Sequence, residues 1–86
     1  MVDLSKRVAV ITGGASGIAR AVARQLGREG IRAVALADMS EAVENVAREI
    51  NTELGRECVL AFRGDVTDRA FRASVFTELK RRFGGV

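Results

Sequence analysis

The stretch Val8–Leu26, VAVITGGASGIARAVARQL, joins a short apolar run to a helical pattern through a glycine-rich turn. Residues 7–12, RVAVIT, are rich in β-branched side chains and stop at a glycine, so they predict a strand buried on both faces. Gly13, Gly14 and Gly17 follow, and the apolar spacing then changes to that of a helix. This order places backbone N–H groups of a helix N-terminus directly after a strand, where they can receive an anion.

The rest of the chain repeats the alternation of strand and helix. Strands are predicted at 7–12, 31–37 and 57–62, and helices are predicted to start at Gly17, at Ser40 as a cap, and at Thr67 or Asp68 as a cap. Strands joined by helices of this length pair in parallel with right-handed crossovers. The sequence therefore predicts an α/β fold of order β-α-β-α-β-α, a Rossmann-like half of a doubly wound parallel sheet with strand order 3-2-1.

The first predicted helix has two contrasting faces. Its apolar side chains, Ile18, Val22 and Leu26, share one stripe. Three arginines lie on the opposite face, at positions 20, 24 and 28. We interpret the arginines as a solvated face rather than a phosphate-binding stripe.

The glycines and a later aspartate together indicate a dinucleotide site. Gly13 and Gly14 permit a tight turn, Gly17 permits close approach of a pyrophosphate, and Ala19 lets the helix pack closely on its strand. Asp38 ends the second strand, 21 residues beyond Gly17. A carboxylate there can accept hydrogen bonds from a ribose diol and repels a 2′-phosphate. Each feature has a purely structural alternative, a tight turn or a helix cap, but the combination favours a nucleotide.

Composition excludes several other classes. The chain has 86 residues, 48% hydrophobic and 29% charged, with 14 basic and 11 acidic residues spread along its length. No basic patch indicates nucleic-acid binding, no segment is long and apolar enough for a membrane span, and no ligand cluster indicates a metal. The lone Cys58 is predicted to be a buried hydrophobe, and a cytoplasmic location is expected. Arg63-Gly64-Asp65 matches an integrin-binding tripeptide, which three residues do easily by chance.

The segments TGGASGIA and RGDVTD resemble the short-chain dehydrogenase/reductase family. Its nucleotide motif is T-G-x-x-x-G-x-G, which Thr12, Gly13 and Gly17 match, while Ala19 replaces the last glycine. The resemblance covers essentially the whole chain. It implies that the cofactor is NAD rather than NADP, because Ser16 and Met39 stand where NADP enzymes of the family usually have a basic residue.

The resemblance also implies a role for each matching position. The pyrophosphate and its adjoining ribose would lie against Gly13, Ser16, Gly17 and Ile18. The adenosine ribose would bind Asp38, with Met39 beside the adenine. The adenine edge would contact the Asp65 side chain and the Val66 backbone N–H.

The family resemblance further implies what this chain lacks. Relatives continue into a fourth strand, a catalytic Ser and a Tyr-x-x-x-Lys pair, whereas this sequence has no Tyr. Residues 1–86 are thus expected to be a partial dinucleotide-binding domain, truncated before the fourth strand, of an oxidoreductase that transfers hydride between NAD(H) and a carbonyl or alcohol. No catalytic residue is assigned, and the isolated chain is expected to be inactive. The alternative is a freestanding nucleotide-binding or interaction module without catalysis.

Association is expected on the side of the sheet where the first strand lies. That strand would be at the edge, yet its apolar composition is typical of a central strand, without charge or proline to protect it. The third helix carries apolar residues that we expect to be only partly covered: Phe71, Val75, Leu79 and Phe83. Exposed apolar surface of this extent favours a homo-oligomer.

Overall fold

The structure, a computed structural model, describes residues 3–84. A short 3-10 turn, Leu4–Lys6, precedes three strand–helix units: β1 Val8–Thr12, α1 Gly17–Arg28, β2 Ala33–Asp38, α2 Ala42–Leu54, β3 Val59–Arg63 and α3 Arg69–Phe83. All strands are parallel, which confirms the predicted β-α-β-α-β-α architecture. The 3-2-1 order predicted from the sequence is corrected to β1-β2-β3, which counts from the opposite edge and keeps β2 in the centre.

The starts of β2 and β3 lie two residues later than predicted. Residues 31 and 32 close the end of α1 instead of joining β2: Gly30 adopts φ +88°, and the Ile31 N–H donates to the Leu26 carbonyl at 3.1 Å. Asp38 is the last residue of β2 rather than the first after it. At the start of α2, Ser40 Oγ accepts from the Ala42 N–H at 3.1 Å, although the residue at the cap position is Glu41.

The main core lies between the sheet and the helices α1 and α2. The apolar residues that recur at helical spacing along α2 are buried there, apart from the half-buried Leu54: Val43, Val46, Ala47 and Ile50. Alternate residues of β2, Val34 and Leu36, point to this side because side chains alternate across a strand. The buried Cys58 thiol belongs to the same core, as predicted.

The fully buried residues of α1 are not those of its apolar stripe. The buried positions are small, Ala19, Ala23 and Gly27, and Ile18 is 81% exposed. A Cβ added at Gly27 would lie 2.3 Å from Leu54 Cδ1, so α1 and α2 pack closely through a residue without a side chain. Small residues let the two helices approach, whereas Ile18 and Val22 are exposed and Leu26 packs only partly buried against the main core.

The three arginines of α1 pair with glutamates of α2 at the surface, and their side chains stay 24–59% exposed, so the predicted solvated face also carries ion pairs to the neighbouring helix. Arg24 Nε lies 2.6 Å from Glu53 Oε2, and Arg20 and Arg28 lie 3.4 and 3.9 Å from Glu49 and Glu53. The hydrogen bond from Arg24 lowers the pKa of the Glu53 carboxyl below its ordinary value. These pairs bridge neighbouring helices along the rim of the main core.

Within residues 3–84, α3 is the only helix that covers the opposite side of the sheet. Val75 and Leu79 are buried against Ala35, so the expectation that the apolar residues of α3 stay partly covered is wrong for these two and confirmed for Phe71 and Phe83. A cavity of about 280 Å³ remains between β1 and α3. It is lined by Val10, Thr12, Ala37, Val66, Phe71, Arg72, Val75 and Phe76.

Candidate functional site

The turn after β1 is built by two glycines with different tasks. Gly13 adopts φ +68°, a conformation that residues with a Cβ rarely adopt. Gly14 has an ordinary φ, but a Cβ there would lie 2.6 Å from Leu36 Cβ, and its N–H donates to the Ala37 carbonyl at 3.1 Å. Gly13 therefore turns the chain, and Gly14 lets the turn lie directly against β2.

The N-terminus of α1 presents free backbone donors at the end of this turn. Ser16 caps the helix, its Oγ accepting from the Ala19 N–H at 3.1 Å. The N–H groups of Gly17 and Ile18 donate to no acceptor within residues 3–84. A Cβ added at Gly17 would meet nothing within 4 Å, so the space beside this residue is open. Two unpaired amides and the positive end of the helix dipole form a cradle for an anion.

Asp38 connects the end of β2 to the glycine turn. Its Oδ2 accepts from the Ala15 N–H at 2.9 Å, and its Oδ1 accepts from the Ser40 N–H at 3.0 Å. These bonds, that from Ser40 first, lower the pKa of the Asp38 carboxyl below its ordinary value. The group is therefore a carboxylate at neutral pH, and each oxygen keeps one further acceptor position, enough to accept from two hydroxyls.

The end of β3 lies beside Asp38. The Gly64 N–H donates to the Asp38 carbonyl at 2.9 Å, which places Asp65 next to the site. Asp65 Oδ1 accepts from the Thr67 hydroxyl and N–H, in that order the main causes that lower the pKa of its carboxyl. Within residues 3–84 no contact occupies Asp65 Oδ2 or the Val66 N–H. Both groups can still contact a ligand.

All eight predicted site residues lie near the carboxyl ends of the strands: six at a strand end or in the turn that follows it, and Gly17 and Ile18 in the first turn of α1. They are Gly13, Ser16, Gly17, Ile18, Asp38, Met39, Asp65 and Val66. The Met39 side chain is largely exposed. Ala15 was not predicted, because its contribution is a backbone N–H. Asn51 was also missed, a polar residue on the buried side of α2 whose side chain bonds the Cys58 and Val59 backbone and fixes the start of β3.

Solved structures with the same fold include enzymes with either nicotinamide cofactor. A xylitol dehydrogenase with bound NAD⁺ has a TM-score of 0.82 and 31% identity, and it matches 96% of this chain and 31% of its own. The L-sorbose reductase from Gluconobacter frateurii, in complex with NADPH and L-sorbose, has a TM-score of 0.83 with the same identity and coverage. In the part of the chain that the structure describes, no helix is long and apolar enough to cross a membrane.

Sequence comparison also finds oxidoreductases. The oxidoreductase YuxG of Bacillus subtilis, which is uncharacterized, is 35% identical over 85 residues, or 98% of this chain and 12% of its own length. The chain thus spans about a third or less of the relatives it matches. The sequence model for short chain dehydrogenases matches residues 7–86. A match over nearly the entire chain, together with the glycine turn and Asp38 at the carboxyl edge, shows that the chain belongs to the short-chain dehydrogenase family.

Proposed function

We propose that this chain binds NAD at the carboxyl edge of its sheet, as the cofactor-binding part of an oxidoreductase. The complete enzyme would transfer a hydride between NAD(H) and a carbonyl or alcohol, chemistry that the nicotinamide supplies when bound. The observation that carries this proposal is the bond between the Asp38 carboxylate and the Ala15 N–H. It joins the acid and the glycine turn into one site with donors on one side and acceptors on the other.

The free groups of this site match the chemistry of a dinucleotide. The N–H groups of Gly17 and Ile18 suit a pyrophosphate, with Gly13 and Ser16 shaping the turn beneath it. The unused acceptor positions of Asp38 suit the adenosine ribose diol. Asp65 Oδ2 and the Val66 N–H suit the amino group and a ring nitrogen of adenine, and the exposed Met39 offers an apolar cover.

NAD is the preferred cofactor in this proposal. A 2′-phosphate would lie against the Asp38 carboxylate, and repulsion of like charges in a partly buried site costs on the order of 1–3 kcal/mol. That cost corresponds to about 5- to 150-fold in affinity. The relatives use both cofactors, so the preference rests on the charges of this chain rather than on its fold.

Titration with NAD and NADP tests the binding site. We expect chemical shifts of the Gly17, Ile18 and Val66 amides to change with NAD at lower concentration than with NADP, and Asp38→Asn to narrow the difference. Asp3→Asn is the matched control, because Asp3 is another capping aspartate, located before β1 at the opposite edge of the sheet. Tighter binding of NADP by the unmodified chain would refute the role given to Asp38.

Hydride transfer is expected to be absent from the isolated 86-residue chain. The family's Tyr-x-x-x-Lys pair has no counterpart in a sequence without Tyr. Incubation with NAD and a panel of alcohols, or with NADH and ketones, should give no turnover above a heat-treated control. Steady turnover would instead require a catalytic group among the residues present.

Association of copies through the free edge of β1 remains a prediction. Among residues 3–84, β1 pairs only with β2, and it carries no charge or proline between Val8 and Thr12. Light scattering of the folded chain at rising concentration should show a mass above that of a monomer. A constant monomer mass would contradict this expectation.

A further inference from the structure

One arginine lies beside Asp38 and has no part in the site described so far. Arg63 ends β3 and is the in-register partner of Asp38 across the parallel pair. Because partners in register point to the same side of a sheet, and strands are about 4.8 Å apart, both side chains leave the carboxyl edge on one face. Arg63 is thus a cation next to the position proposed for the adenosine ribose.

A third charge completes this cluster. Glu41, directly before α2, places its Oε2 3.8 Å from Arg63 Nη1, and both side chains are largely exposed. Two acids and one arginine therefore surround the place where a 2′-phosphate would project. A guanidinium is well suited to bind phosphate when it is not already paired with a carboxylate.

We propose that Arg63 and Glu41, together with Asp38, determine how the site discriminates between a ribose hydroxyl and a ribose 2′-phosphate. Glu41 pairs with Arg63 and adds a second negative charge, so a 2′-phosphate gains less from Arg63 than it would from an unpaired guanidinium. With Glu41 neutral, Arg63 becomes available to that phosphate. This inference rests on the proposed NAD site and deepens it.

The Arg63–Glu41 ion pair contributes little to the stability of the fold, so changes in ligand binding can be measured without loss of folding. An exposed ion pair at this distance contributes little to folding stability, so variants of either residue should keep the fold. Neither residue belongs to the main core, and the sheet register depends on backbone bonds of β2 and β3. A change in ligand discrimination can therefore be separated from a change in folding.

Titration with 5′-AMP and with adenosine 2′,5′-bisphosphate at low salt tests the proposal, because both probes need only the adenosine side of the site. Glu41→Gln should tighten the bisphosphate about fivefold and change 5′-AMP less than twofold. The matched control is Glu44→Gln, an exposed acid in the first turn of the same helix, which should change neither. In the double variant Glu41→Gln with Arg63→Gln the gain should disappear.

Each contrary result has a distinct meaning. A gain that survives Arg63→Gln, or an equal gain in Glu44→Gln, would show a general charge effect and overturn the role of Arg63. An unchanged ratio of the two probes in Glu41→Gln, with 5′-AMP still bound, would overturn this inference and leave the NAD site intact. If the unmodified chain binds neither 5′-AMP nor NAD, the proposed function fails and this inference fails with it.

Discussion

The two faces of the sheet differ in how completely they are packed. On the closed face, defined by α1 and α2, ten buried residues form one cluster, and arginine–glutamate pairs bridge the two helices. On the open face, defined by α3, three buried residues form the cluster, and a cavity of about 280 Å³ lies beside β1. One face therefore holds the strands in place, and the other leaves room at the edge of β1.

The largest expected effect is the loss of a buried aliphatic side chain, and it should depend on the face. Ile50 on the closed face and Leu79 on the open face are both fully buried. Ile50→Ala should lower the free energy of unfolding by about 4 kcal/mol, since its tightly packed surroundings cannot collapse. Leu79→Ala should cost about 2.5 kcal/mol, because α3 is held by fewer neighbours and can move inward. Urea unfolding measures both, and a larger cost for Leu79→Ala would reverse the comparison.

A buried polar link exists on the closed face. Asn51 Oδ1 accepts from the Cys58 and Val59 N–H groups, and its Nδ2 donates to the Val59 carbonyl at 2.8 Å. Within residues 3–84, no side chain of α3 makes such a bond to a strand. This link ties α2 to the start of β3.

Removal of that link should be the second largest effect. Asn51→Ala leaves buried backbone groups without partners, which should lower the free energy of unfolding by about 3 kcal/mol. The control Asn45→Ala, on the exposed side of the same helix, should cost less than about 0.5 kcal/mol. Hydrogen exchange at Val59 should rise in the first variant only, and equal protection in both would argue against the link.

Some features of the fold could be predicted from the local sequence, and others could not. The alternation of strands and helices, Gly13 at positive φ and Asp38 at the end of β2 follow from spacing and residue type, and they were predictable. The close packing of Ala19 was also predictable from its motif position, but the burial of Ala23 and Gly27 was not, because helix–helix approach depends on the partner helix. The exposure of Ile18 could not be predicted either, since periodicity shows an apolar stripe but not what covers it.

The candidate site was likewise predictable only in part. Every side chain proposed for the nucleotide came from motif positions, whereas the Ala15 N–H and the pairing of Arg63 with Glu41 depend on three-dimensional placement. Asn51 could have been suspected, since it is a polar residue on the buried side of α2. Backbone donors leave no such signal.

Because of the cavity, a Val→Ile substitution should raise the free energy of unfolding on the open face and lower it on the closed face. Val75 lines the cavity on the open face and is buried, whereas Val46 is buried in the closed face. Val75→Ile should raise the free energy of unfolding by about 0.5–1 kcal/mol by filling space. Val46→Ile should lower it by about 1 kcal/mol through overpacking. Destabilisation of similar size by both would show that the open face is as tightly packed as the closed one.

The smallest expected effect is a change in stability at acid pH. It distinguishes the two faces, because the carboxylate on one face pairs within a single helix and the carboxylate on the other pairs across two helices. Hydrogen bonds from Arg81 and then Arg82 lower the pKa of Glu78 on α3 to about 2, whereas Arg24 lowers the pKa of Glu53 across α1 and α2. A carboxyl whose pKa is lower in the folded chain stabilises the fold above its ordinary pKa of 4.5, and that contribution is lost as the pH falls below 4.5, for Glu78 toward about 2. Glu78→Gln and Glu53→Gln should each reduce the loss of stability over this range, as followed by urea unfolding at a series of pH values. Because Glu78 joins residues within one helix, Glu78→Gln should leave the protection of α1 and α2 amides unchanged at pH 6, whereas Glu53→Gln should lower it in both helices. If Glu78→Gln lowers that protection as much, the two faces are coupled more strongly than their separate clusters indicate.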